Sequence, residues 1–128
     1  MEKKIKILIL DDEYKFCKSL EKYLAKAGYN AIFTTNGEHA LDMIREEKPD
    51  IMTLDIRMPG INGYDVLEKA KKIDGKMRII IVSAVDDPQI KLYKEYGAHA
   101  LLQKPIALED LKKIIERLVS EDSQNGEK

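Results

Sequence analysis

Three stretches of this chain are apolar at nearly every position: ILIL at residues 7–10, IMTL at 51–54 and IIIV at 79–82. A strand with one face in water alternates apolar and polar residues. A strand covered on both faces does not. Runs this short and this rich in isoleucine therefore predict strands buried in the middle of a sheet. The segments between them carry a different period. Phe16, Cys17, Leu20, Tyr23, Leu24 and Ala27 fall at helical spacing and end at Gly28. Ala40, Leu41 and Ile44 follow Asn36-Gly37, and Pro49 breaks that helix. Asn62 is placed to cap a helix bearing Val66, Leu67, Ala70 and Ile73.

Further strands are predicted at residues 31–35 and 100–103. A fourth helix is predicted from Asp87-Pro88 to about Tyr96, stopping at Gly97. A last amphipathic helix carries Leu108, Leu111, Ile114, Ile115 and Leu118. Five strands alternating with helices predict an α/β fold, with a doubly wound five-stranded parallel sheet and right-handed crossovers. Residues 1–119 form the expected domain. Residues 120–128, SEDSQNGEK, read as a polar, disordered tail.

Composition narrows the function. With 44% hydrophobic and 35% charged residues, the chain of 128 can bury one core and stay soluble. A formal net charge of −1 gives no electrostatic case for direct nucleic-acid binding. No apolar run reaches membrane-spanning length, and the N-terminus lacks a signal-peptide pattern, so the expectation is cytoplasmic with no membrane partner. The single cysteine, Cys17, has no internal disulfide partner and reads as core packing.

In doubly wound folds, ligands bind at the carboxyl ends of the strands. Here the first strand ends in Asp11-Asp12-Glu13, the third in Asp55, the fourth in Ser83-Ala84 and the fifth in Lys104-Pro105. Taken singly, each has an ordinary reading: a helix cap, a turn aspartate, a loop hydroxyl, a solvated lysine. Together they converge on one edge. Asp11, Asp12 and Asp55 repel one another unless a cation intervenes. Lys104 supplies one positive charge, and a divalent ion would neutralise the remainder. Oxygen ligands with no His or Cys among them favour Mg²⁺ or Ca²⁺ over zinc. A strand-end carboxylate beside metal, lysine and hydroxyl suits phosphoryl transfer with Asp55 as nucleophile. Met58-Pro59-Gly60 then turns the chain away from it.

The motifs ILILDDE, LDIRMPGINGYDVL, IIIVSA and YGAHALLQKPI, in that order, resemble the receiver domain of two-component response regulators. The resemblance implies a flavodoxin-like (βα)5 fold with strand order 2-1-3-4-5. It implies Mg²⁺-dependent phosphorylation of Asp55 by a histidine kinase or histidine phosphotransfer protein, with an effector protein as a further partner. Mg²⁺ would be bound by Asp12, Asp55 and the backbone carbonyl of Arg57, with Asp11 acting through water. Lys104 would pair with a phosphoryl oxygen, Ser83 would hydrogen-bond the group, and the Ala84 N–H would lie beside it. The Lys104–Pro105 bond would be cis. Arg57 and Val85 would flank the path of the hydrolytic water and favour slow self-dephosphorylation. Where the family usually has Tyr or Phe three residues before the lysine, this chain has Leu101, which argues for an altered readout. His39 and His99 match no motif and read as surface or loop residues.

Rival readings remain at this stage. Aspartate-nucleophile phosphatases use similar groups but resemble an Asp-x-Asp pattern on the first strand, where this chain has Asp11-Asp12-Glu13. A flavodoxin-like flavin binder would have a Ser/Thr-rich phosphate loop after that strand. The chain also resembles the receiver part of a longer DNA-binding regulator.

Overall fold

The computed structural model describes residues 4–84 and 88–126. Five parallel strands, β1 (Lys6–Leu10), β2 (Asn30–Thr34), β3 (Ile51–Leu54), β4 (Arg78–Ser83) and β5 (Ala100–Gln103), form one sheet in the order β2-β1-β3-β4-β5. The helices are α1 (Tyr14–Lys26), α2 (Gly37–Glu47), α3 (Gly63–Ile73) and α4 (Leu108–Gly126).

The uninterrupted strands do divide their side chains by period two. Leu8, Leu10, Met52, Leu54, Ile79 and Ile81 pack under α2 and α3, together with Ala40, Ile44, Leu67 and Ala70. Ile7, Ile9, Ile51, Ile80 and Val82 face the other way, against Cys17, Leu20, Leu24, Leu111, Ile115 and Leu118 of α1 and α4. Full burial of each large aliphatic side chain is worth about 1.5–3 kcal/mol, so the central strands hold both layers to one sheet.

Helix boundaries follow from local chemistry. Asn36 Oδ1 accepts from the His39 N–H and Asn62 Oδ1 from the Tyr64 N–H, each satisfying a free donor of a first turn. Gly28, with φ 98°, follows α1 in the left-handed conformation.

Two elements differ from the sequence-based expectation. Of the helix predicted from Asp87 to Tyr96, Asp87 lies outside the described residues. The rest forms a short 3₁₀ helix, Pro88–Leu92, and turns up to Gly97. Tyr93, Glu95 and Gly97 donate to carbonyls three residues back. Ile90 is the single buried side chain from 90 to 96, so little apolar packing is available to support a regular α-helix. Conversely, α4 continues past Val119 to Gly126. Extension of a nucleated helix costs little, and Glu121 pairs with Arg117 at 3.7 Å and with Arg78 at 3.8 Å.

After β3 the chain forms a small antiparallel ribbon, Arg57–Met58 against Ile61–Asn62, turning at Pro59-Gly60. Gly60 has φ 72°. Then α3 begins against the backbone just left behind. The Gly63 N–H donates to the Ile56 carbonyl at 3.2 Å. A Cβ on Gly63 would fall 2.4 Å from both Cα and O of Ile56. Gly63→Ala is expected to destabilise the fold by about 1–3 kcal/mol or more, because backbone cannot move aside as a side chain can. Gly75→Ala, whose Cβ would meet only the Lys71 carbonyl at 3.7 Å, should stay within about 0.5 kcal/mol of the parent. Urea unfolding of the two variants checks the contrast.

Candidate functional site

At the carboxyl edge of the sheet, β1, β3 and β5 each gain one extra backbone bond. Just past β1, the Asp11 N–H reaches the Thr34 carbonyl at 3.4 Å. Just past β3, the Asp55 N–H donates to the Leu10 carbonyl at 3.0 Å. Just past β5, the Lys104 N–H donates to the Ser83 carbonyl at 2.9 Å. These bonds extend the ladder by one residue, so the side chains of Asp11, Asp55 and Lys104 leave from fixed points at one edge of the sheet.

Lys104 Nζ lies among three carboxylates: 2.7 Å from Asp11 Oδ2, 3.1 Å from Glu13 Oε1 and 3.5 Å from Asp55 Oδ2. Its fourth side faces the Phe16 ring, 4.5 Å from the centroid, within cation–π range. Asp55 Oδ1 accepts from the Arg57 N–H at 3.0 Å, and Asp11 Oδ1 from the Glu13 N–H at 2.9 Å. Asp12, exposed, completes an acidic group with Asp11 and Asp55 in which one ligand atom from each lies within 4.8 Å of the others. Ser83 Oγ is fully buried and, among the described residues, makes no well-formed hydrogen bond. It is still close enough to Asp55 to favour its ionised form. A buried hydroxyl without a partner is costly in a folded protein and points to a polar group that arrives from outside.

Burial dominates the titration of Asp11 and Asp55. It pushes the carboxyl pKa values of Asp11 and Asp55 above the usual carboxylate range, although hydrogen bonds from backbone and Lys104 oppose the shift. For Lys104, burial disfavours the ammonium. Hydrogen bonds to Asp11 and Glu13 and the charges of Asp11 and Asp55 outweigh it, so its pKa is raised. The site thus sets two buried aspartates beside the exposed Asp12 and Glu13, only partly compensated by one lysine. Its donor set, all oxygen and strongly negative, fits a hard divalent cation such as Mg²⁺.

Asp11, Asp12, Asp55, Ser83 and Lys104 are brought together at this edge. Ala84 is exposed beside it, and the Lys104–Pro105 peptide bond is cis. Val85 lies outside the described residues. Arg57 is exposed, held to Asp55 through its backbone N–H. Leu101 is paired with Ile81 and half-buried against the α2–α3 layer rather than at the carboxylates. His39 is exposed, as expected. His99 is half-buried and structural: its N–H donates to the Ile79 carbonyl and its Nδ1 accepts the Ile79 N–H at 3.1 Å.

Three further residues belong to the surroundings of the site. Glu13 and Phe16 touch Lys104, and the Cys17 thiol, buried among Leu20 and Leu24, donates to the Asp11 carbonyl at 3.4 Å. Burial pushes that thiol up to about 12, so it is inert at neutral pH. The spacing of Glu13 and Phe16, three apart at the start of a helix behind the acidic pair, was the available signal for a shared face.

A family model described as the response regulator receiver domain matches residues 7–116. Sporulation initiation phosphotransferase F of Bacillus subtilis is 34% identical over 113 residues, which covers 88% of this chain and 91% of that protein. Probable transcriptional regulator ycf27 of Guillardia theta is 37% identical over 112 residues, 87% of this chain but 44% of its own length. The chain spans about half the length of relatives of that kind. Among solved structures, a CheY-like response regulator receiver domain protein from Methanospirillum hungatei matches with a TM-score of 0.88 at 28% identity, over 95% of this chain and 99% of that one.

The raised carboxyl values give a stability prediction. A buried acid whose folded pKa exceeds its unfolded value, 3.8 for aspartate here, binds its proton more tightly when folded. Its contribution to stability therefore rises as pH falls through the folded pKa and is complete below the unfolded one. At neutral pH the ionised group destabilises the metal-free fold. Asp55→Asn in chelator should raise the melting temperature at pH 7 by a few degrees, or about 1 kcal/mol. The gain should shrink as pH is lowered towards 4. Thermal melts of both proteins between pH 4 and 8 test the sign.

Proposed function

Since this chain belongs to the response regulator receiver family, we propose that Asp55 accepts a phosphoryl group from a histidine kinase or a histidine phosphotransfer protein. The observation that carries the reading is the bridge of Lys104 between Asp11 and Asp55 with the unpartnered Ser83 hydroxyl beside them. That arrangement offers a nucleophile, a cation and a hydrogen-bond donor at one strand edge, which are the parts phosphoryl transfer requires.

In the proposed reaction, a carboxylate oxygen of Asp55 attacks phosphorus as the P–N bond to the donor imidazole breaks. The bonding pair stays on the imidazole nitrogen, which takes up a proton. The Arg57 N–H holds one Asp55 oxygen, leaving the oxygen nearer Lys104 for the attack. Lys104 then pairs with a phosphoryl oxygen, Ser83 Oγ donates to another, and the Ala84 N–H adds a donor. Asp11, Asp12, Asp55 and the Arg57 carbonyl would hold Mg²⁺, which when bound neutralises carboxylate and phosphoryl oxygens. Charge compensation of this kind is needed because the cluster and the incoming phosphoryl group are both anionic. The product is the chain's own acyl phosphate, so the protein is a phosphoacceptor rather than an enzyme acting on a separate substrate.

Coverage of nearly the whole length of a sporulation phosphotransferase supports onward phosphotransfer as one outlet, and the longer regulators support an effector as the other. Leu101, aliphatic and packed into the α2–α3 layer, supports a readout concentrated at the loop after Ser83. Exposed Arg57 at the rim supports slow self-dephosphorylation, since a long side chain there would cover the group.

Acetyl phosphate with Mg²⁺ should label the protein once, with base-labile chemistry, and Asp55→Asn should remove the label. Lys104→Ala should retain metal binding and lose most of the response to phosphorylation. A label that persists in Asp55→Asn and maps elsewhere overturns the assignment. Mg²⁺ at a hundred times its Kd should raise stability by about 2.7 kcal/mol if the unfolded chain does not bind it, and Asp12→Asn should remove the increment. Calorimetry across millimolar Mg²⁺ measures it.

A further inference from the structure

An ammonium group has three N–H donors. In this structure those of Lys104 face three carboxylates, and the longest of the three distances, 3.5 Å, is to Asp55. A phosphoryl group on Asp55 Oδ2 inherits this longest contact, so for Lys104 to close on a phosphoryl oxygen it has to move towards Asp55, and one of the two shorter contacts has to lengthen. The candidates differ in what release costs. The Asp11 side chain is only 2% exposed, so leaving it unpaired strands a charge away from water. The Glu13 side chain is 65% exposed, and its carboxylate can be rehydrated at once.

Glu13 is also unusual where it stands. It occupies the N-cap of α1, a position that favours Ser, Thr, Asp or Asn, and its side chain makes no capping hydrogen bond. Its carboxylate reaches across to Lys104, 91 residues away in sequence. Phe16, on the first turn of the same helix, closes the remaining side of the ammonium with its ring. Together they hold the lysine towards α1.

We propose that Glu13 is a positioning residue that competes with the phosphoryl group for Lys104, with Phe16 backing the held lysine, so that this end of α1 sets how readily Asp55 is phosphorylated. The inference rests on the phosphoacceptor reading above and adds a regulator to it. Glu13 lines the exposed rim with Phe16, Ala84 and Ile106. A protein donor that presents a cation or an N–H group to this rim takes up the Glu13 carboxylate and frees Lys104. A small donor such as acetyl phosphate has no group with which to do so.

The test is titration of the full chain with beryllofluoride at saturating Mg²⁺, followed by NMR of the Lys104 side-chain methylene signals, for wild type, Glu13→Gln and Glu13→Asp. Glu13→Gln should tighten the apparent affinity roughly two- to fivefold, the scale of a partly exposed ion pair, and should shift the Lys104 signals before any beryllofluoride is added. Glu13→Asp keeps the charge but is one methylene too short for the contact, so it should move in the same direction. Acetyl phosphate labelling should accelerate by a similar factor in Glu13→Gln. Equal or weaker beryllofluoride affinity in Glu13→Gln, or unmoved Lys104 signals, overturns the competition. Wild-type behaviour in Glu13→Asp overturns a contact in favour of a general field. Asp55→Asn is run alongside: label surviving there removes the phosphoacceptor reading itself, whereas loss of label there with no effect at Glu13 removes this inference alone.

Discussion

The site depends on the register of a parallel ladder. β1 lies between β2 and β3, with Leu10 opposite both Thr34 and Leu54, so Asp11 and Asp55 leave neighbouring strands at the same level. Ser83 is opposite Gln103, which brings Lys104 to that level from two strands away. Side chains in a strand alternate faces, so a one-residue slip of β3 would turn Asp55 towards a different layer and bury the wrong set of isoleucines. Core and chemistry are therefore specified by the same pairing. The apolar layers on both faces enforce it, and the polar edge uses it.

The price of this arrangement is electrostatic. Two buried aspartates and a buried hydroxyl without a partner oppose folding, and the salt bridge from Lys104 to Asp11 at 2.7 Å offsets part of that. A core of isoleucine, leucine and methionine wrapped on both sides by helices supplies the surplus. Groups kept at a cost in stability are where function concentrates, and here they lie at the strand ends where a doubly wound sheet admits ligands.

Much of this was legible in the residues. The unbroken runs of β1, β3 and β4 announced a sheet covered on both faces. Asn36, Asn62 and Gly28 marked helix ends through local hydrogen bonding and backbone conformation, which act within a few residues and so leave a mark in a short window. Asp11, Asp12, Asp55, Ser83 and Lys104 were found because strand ends can be counted. The pairing of Glu13 with Lys104 was not, since it depends on which way a long side chain turns once α1 is docked. The 3₁₀ stretch from Pro88 was misread as a full helix because Asp87-Pro88 and Gly97 read as a start and a stop, while its burial, supplied by the rest of the fold, was too slight. The Gly63 contact was also hidden: nothing in NGYD shows that the neighbour it must accommodate is the peptide of Ile56.

That contact has a mechanical meaning. Where two elements meet through side chains, small displacements are absorbed by rotamer changes. Gly63 has no side chain, and its Cα abuts main chain one residue beyond Asp55. The joint has no cushion. A force that draws Asp55 by a few tenths of an ångström has to move the first turn of α3 as well, and a load on α3 returns along the same route. α3 is thus footed like a strut on the main chain next to Asp55, and the stiffness of the joint comes from an atom that is missing.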